Sequence, residues 1–284
     1  MTEHNLRDCT EPATWWPHVD EAVRTLSRGA LAVIPTDTVY GIAADAFTPD
    51  AVDALLAAKG RGRQMPPPVL IGDVRTLDGL AIDVPQVVRD LVERFWPGAL
   101  TVILPAQPSL MWDLGETEGT VALRMPDEEF TLALLRKTGP LAVSSANRTG
   151  QPAALSAAEA AEQLGSAVSL YLDGGPAPGQ QPSTIVDATG ERLRIVRQGA
   201  ISADELAQVA PELAPEPAGE SDRAQDPVPA PDEAGDPALD PDMAQEPAPG
   251  PGEAQEPAPE PDQAHEQTQS PAPISDTARE PDNQ

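Results

Sequence analysis

The stretch ALAVIPTDTVYGIAADAF occupies residues 30–47 and sets the pattern for the chain that follows. Its apolar run, residues 30–35, predicts a short buried strand ended by proline, which cannot donate a ladder hydrogen bond. The polar segment TDTVYG predicts a turn over residues 36–41. A helix is predicted next, over residues 49–59, with Pro49 at a favoured first-turn position. A strand followed by a turn and a helix is typical of an α/β protein.

The alternation of strands and helices continues to about residue 200. Apolar residues at helical spacing predict helices over residues 18–28, 49–59, 84–96, 128–137 and 156–164. β-branched runs between turn residues predict further strands over residues 68–73, 100–105, 120–126, 140–146, 169–173, 183–188 and 193–198. We therefore expect an α/β sandwich built on a mixed β-sheet.

Charge is unevenly distributed along the 284 residues, whose formal net charge is −28. Residues 211–284 hold 19 acids, two bases and 17 prolines, and no Phe, Trp or Tyr. Such a segment cannot bury enough apolar surface to offset its ordering entropy, so a disordered acidic Pro/Ala/Glu-rich tail is predicted there. We expect a folded domain over residues 18–210, preceded by an N-terminal extension of residues 1–17.

Composition excludes several classes of protein. No apolar run approaches the roughly 20 residues that span a bilayer, and the first residues lack the basic start and apolar core of a secretory signal. The single cysteine, Cys9, excludes an internal disulfide framework and a Cys-rich zinc site. Residues 1–210 retain a net charge of −11, which argues against non-specific nucleic-acid binding. We expect a soluble, cytoplasmic protein.

Lysine is rare in this chain, and one of its two lysines lies in a cluster of cations. In AAKGRGRQ, Lys59, Arg61 and Arg63 alternate with glycines directly after a predicted helix. Three positive charges on a flexible, solvent-accessible loop repel one another and are stabilised by a polyanion such as a nucleotide triphosphate. On spacing alone, a solvated basic loop or a C-terminal helix cap is equally consistent. No GxxxxGK[ST] motif occurs, so this loop is not a Walker P-loop.

Two polar turns offer hydroxyls and backbone amides to a small ligand at the end of a strand. They are PTDTVYG, residues 35–41, and SSANRTGQP, residues 144–152. Considered alone, each is more simply an ordinary turn, in which Asp37, for example, bonds its own backbone. Arg124 ends a strand, where a lone arginine is more typical of a surface ion pair. The three histidines lie near the termini or in the tail, so histidine acid–base catalysis has little support.

Taken together and in order, six segments resemble the YrdC-like family of threonylcarbamoyl-AMP synthases. They are PTDTVYGIAADAF, AAKGRGR with the PVLI strand that follows it, FWPGALTVIL, TVALRMPD, SSANRTGQPA, and STIVDATG with IVRQGAI. Each segment is weak evidence by itself, but their order over residues 30–201 makes the resemblance highly specific. The resemblance implies a single YrdC-like α/β domain with a twisted mixed β-sheet, flanked by helices, around a basic concave cavity.

The resemblance also implies a reaction. A nucleotidyltransferase of this family condenses L-threonine, bicarbonate and ATP into threonylcarbamoyl-AMP and releases pyrophosphate. A separate transferase complex then moves the threonylcarbamoyl group to adenosine 37 of tRNAs that read codons starting with A. Mg²⁺ is expected on the ATP phosphates, held largely by substrate and water, with no metal ligands from the protein. At most weak direct tRNA binding is expected, and no membrane association.

Site residues follow from the same resemblance. The family's Lys-x-Arg and Ser-x-Asn pairs match Lys59, Arg61, Ser145 and Asn147, which are implied to be catalytic. ATP binding is implied for Lys59, Arg61, Arg63, Thr120, Asn147 and Arg197. Threonine binding is implied for Thr36, Arg124, Ser145 and Ser183. Attack on a phosphorus atom needs charge neutralisation and alignment more than a covalent nucleophile, and cations with fixed donors supply both.

Two features depart from the family pattern. Family members often carry a histidine near threonine, at the end of the strand after the cation cluster, where this chain has Gly72. We therefore expect a locally different threonine pocket, with Arg63 as a compensating cation. Longer members also have a second folded domain that closes over the active site, which the composition of residues 211–284 does not match.

Two other functions are compatible with the predicted fold. A non-catalytic RNA-binding module would present the same basic concavity, although the net acidity and an aromatic content of 3% disfavour it. A carbamoyl-transfer domain of the hydrogenase-maturation type shares the fold, although those proteins add an acylphosphatase-like region and Cys-rich zinc fingers. Threonine-dependent release of pyrophosphate would favour the synthase.

Overall fold

The computed structural model describes residues 5–214 of the chain. Ten strands in this range form one sheet: β1 Leu6–Asp8, β2 Ala32–Ile34, β3 Gly41–Asp45, β4 Val69–Leu70, β5 Leu100–Pro105, β6 Thr120–Arg124, β7 Leu141–Ser145, β8 Leu170–Asp173, β9 Thr184–Asp187 and β10 Arg194–Arg197. They lie in the order β1-β8-β2-β3-β7-β4-β6-β5-β9-β10, with parallel and antiparallel neighbours. The predicted mixed sheet is confirmed. From residue 215 onward, the predicted tail lies outside the described residues.

Seven α-helices lie within residues 5–214: α1 Trp15–Leu26, α2 Pro49–Lys59, α3 Leu77–Leu80, α4 Gln86–Phe95, α5 Glu129–Thr138, α6 Ala157–Leu164 and α7 Ala203–Ala207. All five predicted helices are present, and α2 has the predicted bounds. The short helices α3 and α7 were not predicted, because four or five residues show little periodicity. In the described part of the chain, no helix has the length and hydropathy of a membrane span.

Sequence analysis missed two strands, β1 and β3, and β3 was missed because glycine and alanine are weak strand formers. It pairs antiparallel with β2 on one side and with β7 on the other, where Gly41 faces Ser145. A β-carbon at Gly41 would lie 2.6 Å from Val143 Cγ1, so only glycine allows this close approach of β3 to β7. The pairing brings the end of β7 beside the turn that follows β2.

Successive residues of the central strands pack on opposite faces of the sheet, as the two-residue period of a strand requires. Val33 and Ile42 belong to a core with α2, α4 and α6. Ile34 and Ala43 belong to a second core with α1 and α5. Helices therefore cover both faces, and the predicted α/β sandwich is confirmed.

The first residues of the described range contribute to the same sheet. Leu6–Asp8 pairs parallel with β8, although sequence analysis treated residues 1–17 as an extension. The ring of Trp15 meets that of Phe130 edge-on, with centroids 5.6 Å apart. This contact ties the start of α1 to α5.

The packed core extends past residue 210, where the folded domain was expected to end. Residues 211–213 form a 3₁₀ turn. Leu213 is 5% exposed and packs in the same core as Leu206 and Ala210. The expectation that residues from 211 onward lack fixed packing is therefore wrong for Leu213.

Leu213→Ala in the full chain tests this boundary. Removing a buried leucine side chain should lower the free energy of unfolding by about 2–3 kcal/mol, through lost burial and a residual cavity. Leu6→Ala is the matched control, because Leu6 is 42% exposed and its loss should cost less than about 1 kcal/mol. Urea denaturation followed by circular dichroism measures both. Equal, small losses would place Leu213 outside the core.

Candidate active site

A cavity of about 290 Å³ lies where the turn after β2 and the loop after α2 meet strands β5, β6, β7 and β9. Arginine side chains reach its wall from three places, Arg61, Arg124 and Arg197. The other described residues of the lining are apolar or carry hydroxyls, and none is Asp or Glu. A cationic wall without carboxylates favours an anionic ligand.

Arg124 is the most firmly held of the three arginines. It is 6% exposed, and its guanidinium donates to the Gly98 carbonyl (2.9 Å), the Thr38 hydroxyl (3.0 Å) and the Asp37 carboxylate (2.5 Å). Asp37 also accepts from the Asp127 amide at 3.1 Å. Asp37 therefore does not bond its own backbone as expected, and Arg124 forms an ion pair as expected, but a buried one. The ion pair fixes the direction of the guanidinium, because both side chains are almost completely buried.

Arg61 has unused hydrogen-bonding capacity. Its Nη1 donates to the Ser144 hydroxyl at 3.4 Å, a long contact. Its Nε is buried and lacks a partner, and no other side-chain nitrogen or oxygen in residues 5–214 shares that condition. A buried donor without an acceptor costs free energy. A ligand oxygen at this position would therefore be stabilising.

Arg197 reaches the cavity from the sheet edge. The register of β10 against β9 shifts between Ile195 and Arg197, and such irregularities redirect a side chain. The guanidinium donates to the Ser183 carbonyl at 2.8 and 3.1 Å and to its hydroxyl at 3.0 Å. That hydroxyl lies 2.8 Å from the hydroxyl of Thr101. Ser183 is thereby fixed between strand β5 and Arg197.

The three guanidinium groups share one electrostatic environment. Desolvation lowers the pKa of Arg61, Arg124 and Arg197. The charges of Arg124 and Arg61 lower the pKa of Arg197 further, whereas Asp37 partly offsets the effect at Arg124. At Arg197, repulsion by neighbouring cations thus adds to desolvation, and an anion in the cavity would relieve that repulsion.

Thr36 and Thr120, two threonines that were assigned to the site from sequence, form part of the cavity wall. Thr36 Oγ1 donates to the Val39 carbonyl at 2.6 Å and accepts from the Thr38 amide at 3.2 Å, which closes the turn after β2. Thr120 Oγ1 donates to the Thr117 carbonyl at 2.7 Å. Both threonines line the cavity, but their hydroxyls already have partners within the protein.

Lys59 lies behind the wall and is not among the lining residues. It is the last residue of α2 and 1% exposed, and the helix ends at Gly60 in the left-handed conformation (φ 64°). Its ammonium donates to the carbonyls of Ser145 and Asn147, the second at 2.7 Å. Desolvation, and then the charge of Arg61, lowers the pKa of Lys59 to about 8. The expectation of a solvent-accessible lysine is wrong, because the contacts that bury it come from distant residues.

Asn147 supports the same segment and also lies outside the lining. Its Oδ1 is 3.4 Å from the Lys59 ammonium, and its Nδ2 donates to the carbonyls of Arg148 (2.9 Å) and Gln151 (2.8 Å). The Thr149 amide donates to the Lys59 carbonyl at 2.9 Å. Ser145, between these anchors, does line the cavity.

Arg63 and Gly72 are the two predicted features that the cavity does not include. Arg63 pairs with Asp53 and Asp113 instead. Gly72 is buried against α5, where a β-carbon would lie 2.9 Å from Leu135 Cβ. The positions of these two residues therefore do not support the expectation that Arg63 replaces the family's histidine at position 72.

Several lining residues that carry hydroxyls were not assigned to the site from sequence, among them Thr101, Thr117 and Ser144. Thr101 carried a usable signal, since it is a hydroxyl residue in the otherwise apolar strand LTVILP, and a buried hydroxyl needs a partner. Ser144 directly precedes the predicted Ser-x-Asn pair. Thr117 lies in a loop that shows no pattern.

The fold and cavity define an α/β protein with a basic pocket for a small anionic ligand. The Sua5/YciO/YrdC family model, described as "Telomere recombination", matches residues 24–199. A Mycobacterium tuberculosis protein, provisionally named a threonylcarbamoyl-AMP synthase, is 50% identical over 202 residues, or 71% of this chain and 93% of that protein. The threonylcarbamoyl-AMP synthase of Bacillus subtilis is 37% identical over 196 residues, or 68% of this chain and 56% of that protein.

Among solved structures, Pyrococcus abyssi Sua5 complexed with L-threonine is similar to this protein, with a TM-score of 0.70 and 32% identity. The match covers 74% of this chain and 62% of that one. This chain belongs to the Sua5/YciO/YrdC family. It spans about half the length of the B. subtilis relative.

Asp37→Ala tests the buried ion pair. Removing the carboxylate leaves Arg124 buried and unpaired, which should lower the free energy of unfolding by about 3–5 kcal/mol. Asp78→Ala is the control, because Asp78 pairs with Arg89 at an exposed site and should lose less than about 1 kcal/mol. Chemical denaturation measures both. A loss at Asp37 no larger than the control's would contradict the geometry.

The burial of Lys59 predicts a pH dependence of stability. Because folding lowers the pKa of Lys59 to about 8, the unfolded chain binds this proton more tightly, and the destabilisation is relieved as pH rises from about 8 toward 10. Relative to Lys59→Met, the wild type should gain about 2 kcal/mol of unfolding free energy between pH of about 7.5 and 9.5. Lys137→Met is the control, since Lys137 is exposed. A pH-independent difference at Lys59 would argue against its burial.

Proposed function

We propose that this protein is a threonylcarbamoyl-AMP synthase, which condenses L-threonine, bicarbonate and ATP into threonylcarbamoyl-AMP and pyrophosphate. The proposal rests on one observation above all, a cavity with three arginines and no lining carboxylate in a member of this family. Relatives carry the name threonylcarbamoyl-AMP synthase, and P. abyssi Sua5 has been solved with L-threonine. Each substrate except neutral zwitterionic threonine carries net negative charge, and threonine still presents a carboxylate.

The chemistry suits a site built from cations. Pyrophosphate leaves the α-phosphorus of ATP as the adenylate forms. The site must stabilise the negative charge on the transferred group and hold the attacking and departing groups in line. Fixed guanidinium groups supply that stabilisation without a covalent intermediate on the protein. Arg61 and Arg197 hold ATP phosphates in this proposal. The unpartnered Nε of Arg61 supports its part.

Threonine occupies the part of the cavity near Arg124. The guanidinium, held by Asp37, pairs with the threonine carboxylate, and the turn closed by Thr36 forms the adjacent wall. Ser183 and Ser145 offer hydroxyls to threonine from other sides of the cavity. Thr120 belongs to the ATP side.

Lys59 and Asn147 serve the reaction from behind the wall. Together they fix the backbone at Ser145, which lines the cavity. The predicted catalytic group of Lys59, Arg61, Ser145 and Asn147 thus divides into two lining residues and two supporting residues.

Mg²⁺ enters this reaction with ATP. The cavity offers guanidinium groups and hydroxyls, and residues 5–214 contain no cluster of three or more His, Cys, Asp or Glu side chains suited to a metal ion. In this proposal the phosphate oxygens and water would hold Mg²⁺, and the ion would reduce the negative charge of the phosphates beside Arg61 and Arg197. Bicarbonate supplies the carbamoyl carbon.

The product passes to a separate tRNA threonylcarbamoyl transferase complex in the cytoplasm. That complex modifies adenosine 37 of tRNAs that read ANN codons. The net charge of −11 on residues 1–210 supports at most weak direct tRNA binding.

The alternatives fit the site less well. An RNA-binding module would stack bases on exposed rings, but Tyr40, the only aromatic among the described lining residues, is fully buried. A volume of about 290 Å³ suits part of a small molecule rather than an RNA helix. The hydrogenase-maturation type is accompanied by Cys-rich zinc fingers, and this chain has one cysteine.

Arg61→Ala tests the proposed function in the full chain. Losing a charge-assisted contact of about 1.5–3 kcal/mol should lower threonine-dependent pyrophosphate release at least about tenfold. The assay contains ATP, bicarbonate and labelled threonine, and follows both pyrophosphate and labelled product. Arg75→Ala is the control, because the Arg75 side chain is 87% exposed and pairs with the nearby Asp73. Absence of threonine-dependent pyrophosphate with the wild type would overturn the proposal.

A further inference from the structure

The loop between β5 and β6, residues 107–119, forms one wall of the cavity without any helix or strand of its own. Leu114, which is 3% exposed, and Thr117 line the cavity from this loop. The shape of the cavity therefore depends on what holds the loop.

Arg63 holds the 107–119 loop with its side chain and with its backbone. The guanidinium donates through Nη2 to Asp113 in the loop and through Nη1 to Asp53 on α2. The Arg63 carbonyl accepts from the Glu116 amide at 2.9 Å. Gly115 has a φ of +107°, and a β-carbon there would lie 2.6 Å from the Arg63 carbonyl oxygen. The loop is therefore shaped to fit against Arg63.

Asp113 is well suited to this contact. The Gly115 amide donates to its carboxylate at 3.1 Å. That hydrogen bond, followed by the one from Arg63, lowers the pKa of Asp113, so the carboxylate remains charged near neutral pH. A second attachment lies next to it, where Trp112 stacks on Phe47 with ring centroids 5.5 Å apart.

We propose that Arg63 is a positioning residue that anchors the 107–119 loop to α2 and thereby sets the wall of the cavity at Leu114 and Thr117. The role of that wall in substrate binding rests on the proposed function, whereas the anchoring does not. Arg63 is outside the lining, and two carboxylates already neutralise its charge. To bind ATP directly, Arg63 would have to give up its ion pairs with Asp53 and Asp113.

The exposure of the Arg63 ion pairs indicates which properties should change when they are lost. The side chain of Arg63 is 40% exposed, and those of Asp53 and Asp113 are 52% and 47% exposed. Ion pairs at such sites contribute little to global stability. Loss of the anchor should therefore change the loop and the affinity for substrate, with the melting temperature nearly constant.

Hydrogen exchange in the ligand-free full chain tests the anchoring directly. The variants are Arg63→Ala, Asp113→Asn and the double variant, with Asp78→Asn as a control that breaks another exposed Arg–Asp pair. Each single variant should speed exchange of amides in residues 107–119 by about two- to fivefold, as expected for an exposed ion pair. Exchange in the double variant should be only slightly faster than in either single variant, because the two substitutions remove the same interaction. Unchanged exchange in the single variants would overturn the proposal.

Steady-state kinetics separates anchoring from direct ATP binding. Anchoring predicts that Arg63→Ala and Asp113→Asn raise KM for ATP or threonine by similar factors, about two- to fivefold, with kcat nearly constant and no further rise in the double variant. Direct binding predicts that Arg63→Ala raises KM for ATP while Asp113→Asn, which frees Arg63, leaves it unchanged or lowers it. That second pattern would overturn the proposal. If the wild type released no threonine-dependent pyrophosphate, the proposed function would fail and hydrogen exchange alone would decide the anchoring.

Discussion

The buried ion pair between Arg124 and Asp37 is the interaction on which the cavity depends. It joins the end of β6 to the turn after β2, and further hydrogen bonds to Thr38 and Gly98 leave the guanidinium one orientation. A buried pair of this kind adds little net stability, but loss of either partner leaves an uncompensated charge. The pair therefore specifies one arrangement of the cavity more than it stabilises the fold.

Two further arginines approach this fixed charge from other elements. Arg61 follows α2, and Arg197 is directed inward by the irregular pairing of β10. Desolvation is the main cause of the lowered pKa of Arg197, and the charges of Arg124 and Arg61 lower it further. An anionic ligand placed between them would reduce the repulsion and would give the unpartnered Nε of Arg61 an acceptor. Under the proposed function, the negative charge of the substrates would supply this compensation.

The sequence predicted the fold well where signals are local. Helix α2 and strand β5 have the predicted bounds, because Pro49 and Gly60 delimit the helix and β-branched residues fill the strand. Strand β3 was missed, since its residues form strands only between two established neighbours. The meeting of Arg61, Arg124 and Arg197 at one cavity was expected only from the family resemblance. Residues this far apart in the chain give no local signal that they will meet.

The burial of Lys59 shows a second limit of sequence reasoning. Glycine spacing suggested a mobile loop, yet the ammonium is held by carbonyls of the segment after β7, more than 80 residues away. Arg63 likewise contacts a loop that composition did not connect with it. Motif residues can thus form the wall of a site or support that wall from behind, and only tertiary contacts separate the two. Their roles in the reaction stay predictions.

A crystal structure with L-threonine and a non-hydrolysable ATP analogue tests the central claim most directly. We expect phosphate oxygens within hydrogen-bond distance of Arg61 Nε and Arg197. We expect the threonine carboxylate to contact Arg124, which should remain paired with Asp37. Lys59 should keep its contacts with Ser145 and Asn147. Ligands bound away from the three arginines would contradict the account, as would phosphates held by Lys59 after it leaves its buried position.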